Sequence, residues 1–284
     1  MKHIILLITG LFFLFFASNL LAQEEEVDTR PVRNPWNCTM LVDHQTVVSP
    51  SKGALEFIIH HRMGAINNGT TDLFGIYAAS NIRLALQYGI TDKLMVGFGT
   101  EKDNKMQEFF WKYAILQQTR SGNIPVSLSY YGNAVIDARD EVVFGQDYGF
   151  TDRMSYFTQL IVSRKWNKDF STQIAAGYAH VNAVDSVWQN NAMAFSIGAK
   201  YDLFGAMSAI AEYDYSVSTK SRKHYQNDIE PNLALGFEIA TSTHAFQLFV
   251  SNYKNIIAQK NHLYNMRALD SEGIGVGFNI TVRF

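Results

Sequence analysis

After residue 22 the sequence has no apolar run approaching the ~18 residues that a membrane helix needs. A bundle of membrane helices is thereby excluded. There is a single cysteine, Cys38, so the chain closes no internal disulfide, and no lipoprotein cleavage box precedes it to suggest a lipid anchor. An excess of one charge is also missing. With 24 Lys and Arg against 26 Asp and Glu the net charge is −2, which excludes a strongly basic nucleic-acid binder and a polybasic membrane patch. Phosphate-cradling glycine loops, a Gly-x-Ser-x-Gly elbow and any His-x-Ser pair are absent. The histidines, including His44, His180, His224, His244 and His262, lack ligand-like spacing with Cys, Asp or Glu, so neither a metal nor a cofactor is expected.

What the chain does have is apolar residues in alternation: 47% of it is hydrophobic and 13% aromatic. The last twelve residues, GIGVGFNITVRF, place Ile274, Val276, Phe278, Ile280, Val282 and Phe284 on one face of a strand and Gly273, Gly275, Gly277, Asn279, Thr281 and Arg283 on the other. Apolar outward to lipid, small or polar inward, and a closing aromatic is the pattern of an outer-membrane barrel strand. The period-2 pattern begins at Leu55 and recurs at Ile82–Gly89, Leu94–Gly99, Glu108–Leu116, Ile124–Tyr131, Tyr156–Val162, Ile174–His180, Met193–Tyr201, Met207–Val217, Leu233–Ile239 and Phe246–Val250. Twelve strands result.

Connections of two lengths alternate between them. Thr91–Lys93, Arg120–Asn123, Asn167–Asp169, Phe204–Ala206 and Thr241–His244 read as tight turns. The links at Ala65–Gly75, Glu101–Met106, Ile136–Thr151, Asp185–Asn190, Thr219–Glu230 and Asn255–Glu272 read as loops, although 101–106 and 185–190 are short for that role. The expected fold is therefore all-β, a single antiparallel transmembrane β-barrel of about twelve strands, or ten or fourteen if a hairpin is miscounted. Its topology is up-and-down, with short periplasmic turns and longer external loops.

The N-terminus divides into two pieces. Lys2, the apolar run from Ile4 to Ala17 and the stretch ending at Ala22 read as a cleaved signal peptide, residues 1–22. Residues 23–53 read as a periplasmic leader, acidic at first and with Pro31 and Pro35, followed by an apolar cluster at 39–50 that folds into the barrel mouth as a possible plug. The barrel itself is residues 54–284.

Several segments resemble a known family: Asn81–Leu84 with Tyr88–Gly97, Lys112–Leu116, Asp152–Tyr156 with Gln159–Lys165, Phe246–Leu248 with Ser251–Asn252, and Gly277–Ile280. Together they are similar to a Bacteroidota family of exported outer-membrane β-barrels, a domain of unknown function. The resemblance implies an outer-membrane location and brings no catalytic or ligand residue with it.

Phase assigns Glu56, His60, Arg62, Arg83, Glu108, Lys112, Lys200, Glu212, Asp214, Glu238 and Arg283 to the lumen. The first six of these with Glu212 and Asp214 are the candidate binding residues; the bland reading is a hydrated lumen whose charges pair across strands. Mixed signs argue against a strongly ion-selective pore. Closure of the barrel sets Glu56, at the start of the first strand, beside Arg283, at the end of the last, and an ion pair is expected there. His60 and His61 fall on opposite faces and cannot share one ion. Glu212 and Asp214 share a face and would suit acid–base work, but pairing in the lumen is the simpler reading. His44-Gln45-Thr46, the nearest substitute for a His-x-Ser pair, is expected outside the barrel.

The expected function is a non-enzymatic outer-membrane barrel, a narrow channel or small-solute uptake barrel in contact with outer-membrane lipid. The alternative is a non-conducting accessory barrel that docks a periplasmic protein through residues 23–53; a lumenal or rim hydrolase ranks third. No nucleic-acid partner is expected.

Overall fold

The computed structural model describes residues 28–185, 187–218 and 229–284. The signal peptide, the start of the leader and most of the Thr219–Glu230 loop with His224 lie outside the described residues. Twelve antiparallel strands close into a barrel in chain order. They are β1 Leu55–Ala65, β2 Asn81–Gly89, β3 Leu94–Glu101, β4 Met106–Leu116, β5 Ser127–Asp137, β6 Met154–Lys165, β7 Phe170–Val181, β8 Asn191–Phe204, β9 Met207–Ser218, β10 Asn232–Ala240, β11 His244–Ser251 and β12 Gly275–Arg283.

The strands form because each alternates an apolar outer residue with a polar or small inner one. On β2, Leu84, Leu86 and Tyr88 face out while Asn81, Arg83 and Gln87 are buried inside. Closure runs through β1 and β12, paired from Glu56↔Arg283 to His61↔Phe278. Every strand thus has two neighbours, and no backbone edge is left to hydrocarbon, where each unpaired group costs several kcal/mol. The expected seam contact is present: Arg283 Nε lies 3.1 Å from Glu56 Oε1. His60 points inward and His61 outward, where its ring stacks on Phe278 at 4.9 Å.

Two inward phenylalanines explain glycines in the polar face. A side chain at Gly97 would collide with Phe110, and one at Gly277 with Phe249. The room so made lets Arg83 lie over the Phe110 ring and Arg62 over that of Phe249, with 5.2 and 4.5 Å from guanidinium carbon to centroid.

Five connections share one barrel end with both ends of the barrel chain, here the turn end; six lie at the other, the loop end. Sorting by length has two exceptions. The link 102–105 is as short as a turn, whereas 117–126 is long where a tight turn at Arg120–Asn123 was expected. The fifth strand starts at Ser127, three residues later than the alternation suggests. Pro125 lacks an N–H for the ladder, and the N-terminal segment pairs with this stretch instead: Val32 N donates to Gln118 O and Arg120 N to Arg30 O.

Candidate functional site

Residues 36–50 enter the barrel at the turn end and rise inside it as a hairpin. Leu41 N donates to His44 O and Thr46 N to Thr39 O, so 41–44 form its tip. Trp36 anchors the entry, its Nε1 donating to Ser163 Oγ at 2.8 Å. Leu41 and Val42 are fully buried. The depth exceeds the expected mouth position, and His44-Gln45-Thr46 lies inside the barrel, not outside it. Charged residues of the wall bond to the hairpin along its length and fix it at that depth.

Lys112 Nζ donates to Thr39 O at 3.1 Å, Thr46 O at 3.0 Å and Gln45 Oε1 at 3.2 Å, filling all three ammonium donors with hairpin oxygens. At the tip, Arg62 reaches Asp43 Oδ1 at 2.5 Å. Glu212 accepts the backbone N–H groups of Asp43 and His44 at 3.1 and 3.2 Å. His44 Nε2 meets Asp214 Oδ1 at 2.6 Å. Burial works against the imidazolium, but the carboxylates of Asp214 and Glu212 outweigh it and lift the His44 pKa to about 9. At neutral pH this contact is a buried ion pair. Thr39 completes the lower part, donating to Glu56 Oε2 at 3.2 Å. Next to it, burial pushes the Cys38 thiol well above its usual range.

The eight candidate lumen residues thus fall into two groups. Glu56, Arg62, Lys112, Glu212 and Asp214 hold the hairpin. His60, Arg83 and Glu108 pair on the wall: Arg83 makes an ion pair with Glu108, and its Nη1 lies 3.3 Å from His60 Nδ1. Of the other inward charges, Lys200 pairs with Asp202 at 2.9 Å and Glu238 accepts from Gln247 at 2.8 Å and from Asn37 at 3.0 Å.

A second insert enters from the loop end. The stretch 252–274, within which Asn255–Glu272 was expected as an external loop, turns inward and carries the helix α1, Ala258–Tyr264, with Gln259, Asn261, His262 and Leu263 buried. Gln259 Nε2 donates to Asn133 Oδ1 at 2.8 Å, and Asn265 Nδ2 to Asn232 Oδ1 at 2.8 Å. The His262 ring stacks on Phe157 at 5.2 Å. The two inserts touch: Asn261 Nδ2 lies 3.3 Å from Asp43 Oδ2, and the Tyr253 hydroxyl donates to the same Glu212 that holds the tip. A cavity of about 30 Å³ remains between them, room for about one water. Its signal in the sequence is a run of amides, Asn252, Asn255, Gln259, Asn261 and Asn265, set among Ile256, Ile257 and Leu263.

The arrangement holds the hairpin through contacts from strands β1, β4 and β9 of the wall. Asp214 lies between His44 and Ser196, whose Oγ donates to it at 2.5 Å. A nucleophilic serine needs the histidine as its neighbour and the acid beyond, an order Ser196 lacks; Ser216 Oγ does lie 3.1 Å from His262 Nδ1. Among the described residues no cluster of three His, Cys, Asp or Glu is placed to hold a metal.

Residues 36–284 match the model of a family described as membrane bound beta barrel domain, DUF5777, and the chain belongs to that family. No curated protein matches it in sequence. Among solved structures, the NanC porin superposes with a TM-score of 0.50 at 10% identity, over 81% of this chain and 98% of the porin. The COG4313 outer membrane channel from Pseudomonas putida F1 gives 0.54 at 8% identity, over 84% and 97%. Identities this low show a shared fold: the protein is a twelve-stranded membrane β-barrel of the type that outer-membrane channels use.

Proposed function

We propose that the protein is an outer-membrane channel closed at rest, in which residues 36–50 are a plug that withdraws toward the turn end and admits small polar solutes. The turn end faces the periplasm on this reading, and the chain is exported in a Bacteroidota cell by a signal peptide that is cleaved after residue 22. One observation carries the proposal: besides the packing of Leu41 and Val42, the hairpin is fastened to the lumen by polar and charged contacts whose wall partners water can solvate when it leaves. Withdrawal exposes two cations, Arg62 and Lys112, and two carboxylates, Glu212 and Asp214. A lumen of balanced charge favours neutral or zwitterionic solutes over ions of one sign.

Single-channel recording in planar bilayers tests this. The intact protein is expected to be silent or to open briefly, and a variant lacking residues 36–50 to conduct steadily. Silence in both would overturn the channel. It would support the second reading, an accessory barrel with a periplasmic partner at residues 23–53, which is favoured by the position of 28–35 outside the lumen against the 117–126 connection.

A further inference from the structure

The outer wall is not uniformly convex. Over β7 to β12 it sinks into an apolar trough of about 710 Å³, within the range of small-molecule sites. The floor is made by three outward alanines, Ala199 on β8 and Ala209 and Ala211 on β9, where other strands carry bulky residues. Cross-strand register puts Tyr201 and Phe237 on either side of Ala209, and Leu235 beside Ala211. At the next outward level Ile197 pairs with Tyr213 and closes the trough toward the loop end. Seen from the lipid, this is a slot with aromatic and aliphatic walls and an alanine bed.

A cation stands beside it. Arg164 faces outward near the turn end of β6 and has no carboxylate partner among the described residues. Its guanidinium lies 4.5 Å above the Trp166 ring, and Trp166 Nε1 donates to Thr172 Oγ1 at 2.8 Å. Thr172 is the cross-strand neighbour of Arg164 on one side and of Ala199 on the other. With strands ~4.8 Å apart, the cation is rooted about 10 Å from the alanine bed. An outward Arg costs ~2–4 kcal/mol at the bilayer midplane and ~0–1 near the interface, so Arg164 belongs at the level of the lipid phosphates, where Trp is also enriched.

We propose that trough and cation together bind one phospholipid: an acyl chain lies over Ala199, Ala209 and Ala211, and the phosphate accepts hydrogen bonds from Arg164 beside Trp166. With the turn end periplasmic, as in the reading above, the occupant is a phospholipid of the inner leaflet and not lipopolysaccharide. No step depends on conduction, so silence in planar bilayers leaves the site untouched.

Native mass spectrometry of the full-length mature barrel, delipidated in mild detergent and given phosphatidylglycerol, tests the site. The unaltered protein is expected to retain one phosphatidylglycerol. Arg164→Gln is expected to lower retention roughly tenfold, through loss of a charge-assisted contact, and Ala211→Trp to abolish it by filling the bed. Heat-modifiable mobility on gels checks that Ala211→Trp folds; if it does not, Arg164→Gln decides. Absence of any adduct, or equal retention in both variants, overturns the proposal. So does an adduct formed with lipopolysaccharide in preference to phosphatidylglycerol, or a dimer that Ala211→Trp disperses, which would make a second copy the occupant.

Discussion

The lumen is filled by two inserts held in opposite ways. The N-terminal hairpin is fastened by charge: Lys112, Asp43 with Arg62, His44 with Asp214, and Glu212 on two backbone N–H groups. The insert at 252–274 is fastened mainly by neutral groups, with Gln259 against Asn133, Asn265 against Asn232 and His262 stacked on Phe157; carboxylates enter as acceptors, Glu212 from Tyr253 and Glu101 from Ile256 N–H, and Lys254 pairs with Asp103 at the rim. Buried ion pairs carry a large desolvation cost, and breaking one partner leaves the other stranded. Amide pairs contribute less each and respond little to pH. Under the proposed function, the insert to be released is the one whose hold on the wall depends more on ionisation.

The largest expected effect tests that contrast directly. Glu212→Gln with Asp214→Asn removes both carboxylates beneath the tip and is expected to destabilise the seated hairpin by about 3–5 kcal/mol. The chain's only cysteine serves as the reporter. Cys38 is buried on the hairpin, and its labelling by a maleimide should rise about a hundredfold or more in the double variant, at 1.4 kcal/mol per factor of ten. Labelling as slow as in the unaltered protein would mean that charge does not hold the plug.

A smaller effect follows from Lys112→Met, which leaves Thr46 O and Gln45 Oε1 without their donor. Loss of a charged hydrogen-bonding group costs about 1.5–3 kcal/mol, read by the same labelling rate. The matching change in the other insert, Gln259→Ala, should cost about 1 kcal/mol and leave Cys38 labelling unchanged. Hydrogen exchange over 252–274 would report it, and a rise in Cys38 labelling would make the two inserts one unit.

A titration sharpens the comparison further. His44 has its pKa raised from 6.5 to about 9 when seated. Its contribution is therefore complete below about 6.5, declines as pH rises, and is lost above about 9. Openings in planar bilayers should become more frequent across that window, and His44→Gln should weaken the dependence, leaving that of Asp43, whose carboxyl pKa is raised by burial to about 7. The smallest effect is expected at the seam. Exchanging charges in Glu56→Arg with Arg283→Glu should recover most of the loss from either single change, about 1 kcal/mol, because Arg283 is partly exposed. Urea midpoints of the four proteins would show whether it does.

The barrel was legible because alternation is a local property. Each strand's phase assigns a face, and the faces assigned to Glu56, Arg83, Lys112 and Asp214 are the ones the structure has. Strand ends were less legible, as at β5, where Pro125 and the pairing with residues 30–32 delay the strand to Ser127. The filling of the lumen was not legible in depth. Alternation says which way Lys112 points but not that Thr39, Gln45 and Thr46 will meet it 66 to 73 residues away. The inward loop was missed for a related reason, since an amide-rich stretch such as 252–265 reads equally well as a solvated loop. Its separation from that reading lies in partners, Asn133, Phe157 and Ser216, contributed by strands remote in sequence.

The hairpin precedes the barrel in the chain, yet several of the side chains that receive it are among the last to be made. Asn37 meets Glu238 at a separation of 201 residues and its carbonyl accepts from Arg283 at 246, while Val42 O accepts from Asn279 at 237. Contacts so distant must wait for the chain between them to be organised. A barrel short of its final strands has no seat for the hairpin. The hairpin is thus synthesised before the barrel and fully seated only after it, and a shielded Cys38 would report that assembly has gone to completion.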